Sequence, residues 1–253
     1  MNVILERQGR WARLTIERPP LNILDLATIE ALDRELAGLE GENAPQLLLV
    51  QGGGDRAFSA GVAVEDHVGD RMVPTLQAFH RVILRLRRLP SISLAVVQGH
   101  CLGGGMELAL ACDLVLATSP STFGQPEIQL GCFPPAAAAL YPALIGRGRT
   151  LELLLSGRTL GCREAEALGL VTWRVETGEL DSRLDAIREQ LLSKSAAVTK
   201  LTKRAVDGRT AEEFEAALAE AERIYLEELI QTQDMNEGLA AFLEKRPPDW
   251  KHR

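Results

Sequence analysis

The sequence is poor in the features that mark membrane, secreted and nucleic-acid-binding chains. Its apolar runs are broken by charge or glycine well short of the roughly 18 residues that a membrane span needs. The start, MNVILERQGRW, has no cationic segment followed by a long apolar stretch, so no secretory signal is expected. Positive charge is short: 28 Lys and Arg stand against 35 Asp and Glu, a net charge of −7. That balance argues against a nucleic acid or an anionic membrane as partner, while a local basic pocket still allows an anionic ligand. Cysteine is scarce, and Cys101, Cys112, Cys132 and Cys162 contain no CxxC pair. A zinc knuckle and a disulfide-stapled fold are thereby excluded, leaving buried free thiols in a reducing cytoplasm. No fixed-period repeat and no long linker interrupts the chain. What is there is globular: 253 residues, 46% hydrophobic and 25% charged. Such a chain suits one core of about 200 residues plus an appendage, or two small domains.

Hydrophobic periodicity gives the organisation. Residues 2–17 alternate apolar and polar side chains around Gln8-Gly9-Arg10, which predicts a hairpin. Apolar residues recur at helical spacing from Leu26 to Leu39 and over 72–88, the latter stopping at Pro90. LLLVQ (47–51), ISLAVV (92–97) and DLVLAT (113–118) read as short buried strands. Strands alternating with helices predict an α/β fold with a parallel, helix-covered sheet. From about Leu180 the pattern is entirely helical, over 180–193, 196–207, 211–232 and 234–244. The predicted division is a core over 1–180 and a helical C-terminal part over 181–253.

Three constellations could carry chemistry. Gly103-Gly104-Gly105 opens a short apolar helix whose first amides lack intrahelical partners and sit at the positive end of its dipole. That is a place suited to a developing oxyanion. Glu107 is the one charge in this helix, and a lone buried carboxylate is costly unless something uses it. A capping box fails because Gly104, three residues earlier, has no hydroxyl; a dipole-satisfying acid remains an alternative. Glu127, in FGQPEIQLG, could equally be part of a Pro-Glu helix start. The third, Arg56 to Val62 (RAFSAGV), offers a second backbone amide or is simply a loop. His67, His80 and His100 have no metal-ligand spacing and read as surface or packing histidines, so no metal site is expected. Gly52-x-Gly54-x-x-Ala57 has dinucleotide-fingerprint spacing, yet the adjoining AFSAGVAVED does not continue as a helix; a dinucleotide-binding oxidoreductase is a distant alternative.

Taken in order, AFSAGV (57–62), GHCLGGGMELALACD (99–113), FGQPEIQLG (123–131) and AFLEKRP (241–247) resemble the crotonase (enoyl-CoA hydratase/isomerase) superfamily. The resemblance runs over essentially the whole chain. It implies a crotonase-like ββα spiral core with an acyl-CoA active site and a helical C-terminal trimerisation subdomain. It implies that the amides of Val62 and Gly104 hold a thioester oxygen as it becomes an enolate. Glu107 and Glu127 would bracket a water at the β-carbon, with Glu127 the main proton donor and Glu107 the water activator. Coenzyme A would meet Arg56 and Ala60, and also Phe242 and Lys245 lent by a neighbouring subunit. Residues 242–253, with four basic and two acidic side chains, fit that expectation or a solvated basic tail.

Two departures from the family pattern stand out. Ala63 occupies a position that usually holds Asp, which removes a local hydrogen bond. Residues 131–142, GCFPPAAAALYP, replace a glycine-rich stretch and make a stiffer wall, with Phe133 and Pro134 at the acyl pocket. This stretch, PLNILD (20–25) and FHRVILRLRR (79–88) resemble most the cyclohexa-1,5-diene-1-carbonyl-CoA hydratases. There, water adds at the β-carbon and the proton goes to the far end of the diene. The expectation is therefore a cytoplasmic hydratase of α,β-unsaturated, including cyclic dienoyl, CoA thioesters. It would be a homotrimer or dimer of trimers with no prosthetic group, coenzyme A entering as part of the substrate. The same scaffold supports isomerases and acyl-CoA hydrolases. A serine peptidase of this fold is excluded, because Met106 stands near the nucleophile's place and no Ser-His-Asp set accompanies it.

Overall fold

After an N-terminal hairpin, each pass of the chain through the core contributes one strand to each of two sheets. The computed structural model describes residues 2–41 and 44–253. In the first sheet, β1 (Val3–Gln8) and β2 (Trp11–Ile16) form the predicted hairpin, turning at Gly9 with φ 60°. From β2 the order continues in parallel through β3 (Leu47–Gly52), β5 (Ile92–Val97), β7 (Leu114–Thr118) and β10 (Trp173–Val175). The second sheet runs β4 (Ala57–Ser59), β6 (His100–Leu102) and β8 (Thr122–Gly124) in parallel. It is closed by β9 (Thr159–Gly161), which is antiparallel. The chain from Gly52 to Ala57 leads into β4 and not into a helix, so the dinucleotide spacing there lacks the helix its ligand requires.

Helices cover both sheets. Asp25 caps α1 (Leu26–Ala37) by accepting from the Thr28 amide at 2.9 Å, and Gly38 ends it slightly before the predicted Leu39. The others are α2 (Met72–Arg88), α3 (Gly104–Ala111), α4 (Pro135–Ile145), α5 (Arg147–Ser156) and α6 (Cys162–Ala167). Then come α7 (Leu180–Leu192), α8 (Ala196–Glu227) and α9 (Gln233–Leu243). The two helices predicted over 196–232 abut without a loop, meeting at a break where Gly208 has φ 38° and ψ −122°. Leu180, Leu184 and Ile187 of α7 pack on Leu47, Leu94 and Leu116 of the first sheet. Phe214 and Leu218 of α8 join the main core. Lys203 of α8, 8% exposed, donates to Asp113 Oδ2 at 2.8 Å and to the Ser91 carbonyl at 3.0 Å. A charge so buried is tolerated because it is paired and hydrogen-bonded.

The topology places the chemistry. Neighbouring parallel strands β4, β6 and β8 deliver residues 60–62, 103–104 and 125–127 from their carboxyl ends, side by side. The carboxyl edge of a parallel sheet is where α/β proteins bind ligands.

Candidate active site

The first segment is held by backbone bonds. Ala60 N–H donates to the Leu21 carbonyl (2.9 Å) and Ala63 N–H to that of Leu24 (3.1 Å), while Leu24 N–H donates to Gly61 (2.9 Å). Buried Asn22 donates to the carbonyls of Gly53 (3.0 Å) and Ala57 (2.7 Å), fixing the approach to β4. Three residues beyond Ala63, buried Asp66 accepts from the Leu26 amide at 3.0 Å and pairs with Arg71 at 2.9 Å. The loop is thus anchored with Ala63 in place.

The second segment meets it at van der Waals distance. Gly103 turns with φ 53°, and a Cβ there would lie 2.6 Å from Glu127 Oε1. A Cβ on Gly104 would lie 2.7 Å from Val62 Cγ2, and one on Gly105 2.4 Å from the Ser59 carbonyl. Only glycine lets these backbones approach so closely. Among the described residues neither the Val62 nor the Gly104 amide has a backbone acceptor. Val62 and Gly104 line the same cavity, of about 420 Å³.

Glu107 and Glu127 line that cavity. Glu107 is 4% exposed and accepts from the Ala137 amide at 2.7 Å, at the start of α4. Burial lifts its carboxyl to about 7, against the pull of the Ala137 and Ala136 amides. Glu127 is pushed up to about 8 by burial first and by the neighbouring Glu107 charge second. The Gln125 amide, in the orientation that satisfies both its ends, donates to Glu127 Oε1 and Oε2 at 3.2 and 3.1 Å. Its oxygen then accepts from the Tyr141 hydroxyl. Two carboxyls lifted in this way and lining one cavity can serve as one acid and one base in a single site.

Of the other predicted residues, Ala60, Phe133 and Pro134 line the cavity, and Phe133 stacks edge-on against Tyr225 with ring centroids 5.5 Å apart. Phe242 of the chain itself lines it too. The reason is the docking of α9: a Cβ on Gly238 would lie 2.3 Å from the Leu130 carbonyl, and one on Gly131 2.6 Å from that of Asp234. Lys245 and Arg56 lie outside the lining, whereas Arg246 belongs to it. Arg56 is exposed, and its carbonyl accepts from the His100 amide at 3.0 Å. Sequence reasoning missed Gln125 and Tyr141 beside Glu127, and Thr75 and Tyr225 in the lining; His80, read as a surface or packing histidine, is buried. Gln125 could have been found by its position two residues before Glu127; the rest carry no local signal.

All four cysteines are free and buried. No helix among the described residues is long and apolar enough to cross a membrane.

Comparison with known proteins bears on the chemistry. The model of the family "Enoyl-CoA hydratase/isomerase" matches residues 6–253. A cyclohexa-1,5-dienecarbonyl-CoA hydratase of Thauera aromatica is 36% identical over 255 residues, covering 100% of this chain and 97% of that protein. A short-chain-enoyl-CoA hydratase of Clostridium acetobutylicum is 31% identical, covering 97% and 95% respectively. Among solved structures, an enoyl-CoA hydratase from Mycobacterium avium subsp. paratuberculosis superposes with a TM-score of 0.88 at 28% identity, over 99% of each chain.

Proposed function

The chain belongs to the enoyl-CoA hydratase/isomerase family, and on that premise we propose that it adds water across the activated double bond of an acyl-CoA thioester. The observation that carries this reading is the pair of carboxylates, buried Glu107 and half-buried Glu127, lining one cavity beside two unengaged amides. The thioester oxygen lies between the Val62 and Gly104 N–H groups, which stabilise negative charge as the enolate forms. The N-terminus of α3 adds its dipole. Glu107 takes a proton from water, whose oxygen bonds to the β-carbon. Glu127, whose carboxyl is lifted further, gives its proton to the carbon end of the enolate, which is the α-carbon in a linear enoyl group and the far end of a conjugated diene. Hydration needs both an acid and a base, so retention of two glutamates favours it over isomerisation.

The acyl group is a cyclic dienoyl. Phe133, Pro134 and Pro135 support a compact, ring-sized pocket, and the Thauera relative is named for such a substrate. Coenzyme A enters as part of the substrate, with no prosthetic group, and passes Ala60, Phe242 and Arg246. Arg56 and Lys245 are assigned to its phosphates in an assembled homotrimer or dimer of trimers. Exposed Val198, Leu201 and Val206 on α8 support residues 181–253 as the assembly region. Buried free thiols support a cytoplasmic setting.

The test measures turnover of crotonyl-CoA and cyclohexa-1,5-diene-1-carbonyl-CoA by the purified protein. Hydration with preference for the diene is expected. Preference for the linear substrate refutes the cyclic assignment alone; free coenzyme A or a shifted double bond without hydration refutes the hydratase reading.

A further inference from the structure

Both carboxyls of the site are tied to one helix. Ala137, in the first turn of α4, donates its amide to Glu107 Oε1 at 2.7 Å. Tyr141, one turn further along the same face of α4, reaches Glu127 by way of Gln125. Gln125 and Tyr141 are fully buried, and neither lines the cavity. One end of the Gln125 amide lies 3.2 and 3.1 Å from the Glu127 carboxyl oxygens and 3.3 Å from the Gly103 carbonyl. With Glu127 ionised all three are acceptors, so the NH2 end faces them and the amide oxygen faces Tyr141. Burial first, and the Glu107 charge second, hold the Tyr141 phenol well above its ordinary range, so its proton stays on the oxygen. Among the described residues that hydroxyl has no hydrogen-bond partner besides Gln125. Only the orientation with the NH2 toward Glu127 gives the phenol proton an acceptor.

A carboxyl that gives up a proton in every turnover needs support for its ionised form. Gln125 supplies that support only while its NH2 points at Glu127. Resting on the hydratase reading above, we infer that Tyr141 is a positioning residue for the reaction: its hydroxyl locks the Gln125 amide, and the amide holds Glu127 as the proton donor. The same helix holds Glu107 through Ala137, so α4 is the single rigid piece that both carboxyls are set against.

Phenylalanine at 141 keeps the ring and removes the lock. The amide is then free to turn its oxygen toward Glu127, where it accepts from the protonated carboxyl and favours that form. Glu127 becomes a weaker acid, so kcat falls and the alkaline limb of its pH profile moves up. KM stays, because neither Tyr141 nor Gln125 lines the cavity. Around Glu127 the other ionisable groups are Glu107 on α3, the Cys132 thiol before α4, and the phenols of Tyr141 and Tyr225 on α4 and α8. Asp66, His67, His80 and Arg246 line the same cavity. Burial pushes the thiol up to about 12 and both phenols well above their usual range. The substitution removes none of these groups except a phenol that stays neutral throughout, so a difference between the two profiles reports on the amide.

The experiment measures kcat and KM against pH for the full chain as wild type, Tyr141→Phe, Gln125→Met and the double variant. The substrate is whichever of crotonyl-CoA and cyclohexa-1,5-diene-1-carbonyl-CoA the wild type hydrates faster. Tyr141→Phe is expected to lower kcat about 10-fold, to leave KM within about 2-fold, and to move the alkaline limb up by about one pH unit. The double variant should be no slower than Gln125→Met alone, because the phenol acts through the amide. An unmoved alkaline limb, or losses that multiply in the double variant, would make Tyr141 a packing residue and overturn the proposal. If Tyr141→Phe does not fold, Gln125→Met decides: a limb moved up sustains the lock, and an unmoved limb rejects it. If wild type hydrates neither thioester, the hydratase reading falls, and Tyr141 is judged without turnover. Infrared titration of the carboxyl band in a Glu107→Gln background then follows Glu127 directly. A midpoint raised by Tyr141→Phe sustains the hold of Tyr141 on Glu127, and identical titrations reject it.

Discussion

Replacing Glu107 by glutamine should make the protein more stable above pH 7 and no more stable at pH 5. The side chain is 4% exposed, and burial lifts its carboxyl from 4.5 to about 7. In the unfolded chain the same group titrates at its ordinary value. Between those two points the folded protein binds more protons than the unfolded one, so stability falls as pH rises. The contribution is fully present below about pH 4.5 and is lost as pH passes about 7. That interval corresponds to about 3 kcal/mol of destabilisation once Glu107 is ionised. Glutamine keeps an oxygen to accept from the Ala137 amide, now bonded at 2.7 Å, but brings an NH2 group that also needs a partner. Leaving that group poorly satisfied offsets about 1–2 kcal/mol of the gain. The net at pH 8.5 is about 1–2 kcal/mol, or roughly 2–8 °C in Tm for a chain of this size. Urea denaturation followed by far-UV circular dichroism, at pH 5 and 8.5 and one protein concentration, measures it. An equal gain at both pH values, or a loss at pH 8.5, would refute the claim that the charge of Glu107 is what strains the fold.

Other outcomes concern the same site and its surroundings. Glu107→Gln and Glu127→Gln should each lower crotonyl-CoA hydration by about 100- to 10,000-fold while thioester binding changes little; near-normal turnover in either variant would end the two-carboxylate mechanism. The kcat of the wild type should peak between about pH 7 and 8, falling on the acid side as Glu107 gains a proton and on the alkaline side as Glu127 loses one. A profile flat from pH 5.5 to 9.5 would contradict the raised carboxyls. Gly105→Ala places a methyl group 2.4 Å from the Ser59 carbonyl and should cost about 3 kcal/mol in thermal or urea unfolding. Gly148→Ala, in the first turn of α5 with nothing within 4 Å, should instead raise stability by about 0.5–1 kcal/mol.

The parts legible in the sequence are those where local pattern and tertiary structure agree. The hairpin around Gly9, the helix over 72–88 and the strands of the first sheet are long enough for a period to show. The second sheet escaped notice because each of its strands has three residues, too few to alternate. The stretch after Phe133 read as a stiff wall, and it is the helix α4, begun by Pro135 at its first position and tolerating Pro142 within. Glu107 and Glu127 were visible because a charge inside an apolar helix and a family motif drew attention to them. His80 and Glu222, 142 residues apart, meet only through the packing of α2 against α8. Tyr141 and Gln125 are joined the same way, by the seating of α4 beside β8, and no spacing in the chain announces either pair.

The seating of α9 on Leu130 and Gly131 has a bearing on biosynthesis. This helix leaves the ribosome after every residue it helps to enclose, yet it borders the turn that carries Glu127. A polypeptide released early, or clipped behind Thr232, would lack Gly238, Ala241 and Phe242, and the cavity wall beside Leu130 would be missing. The cavity is therefore walled in full only once translation has passed α9, long after both carboxylates have left the ribosome.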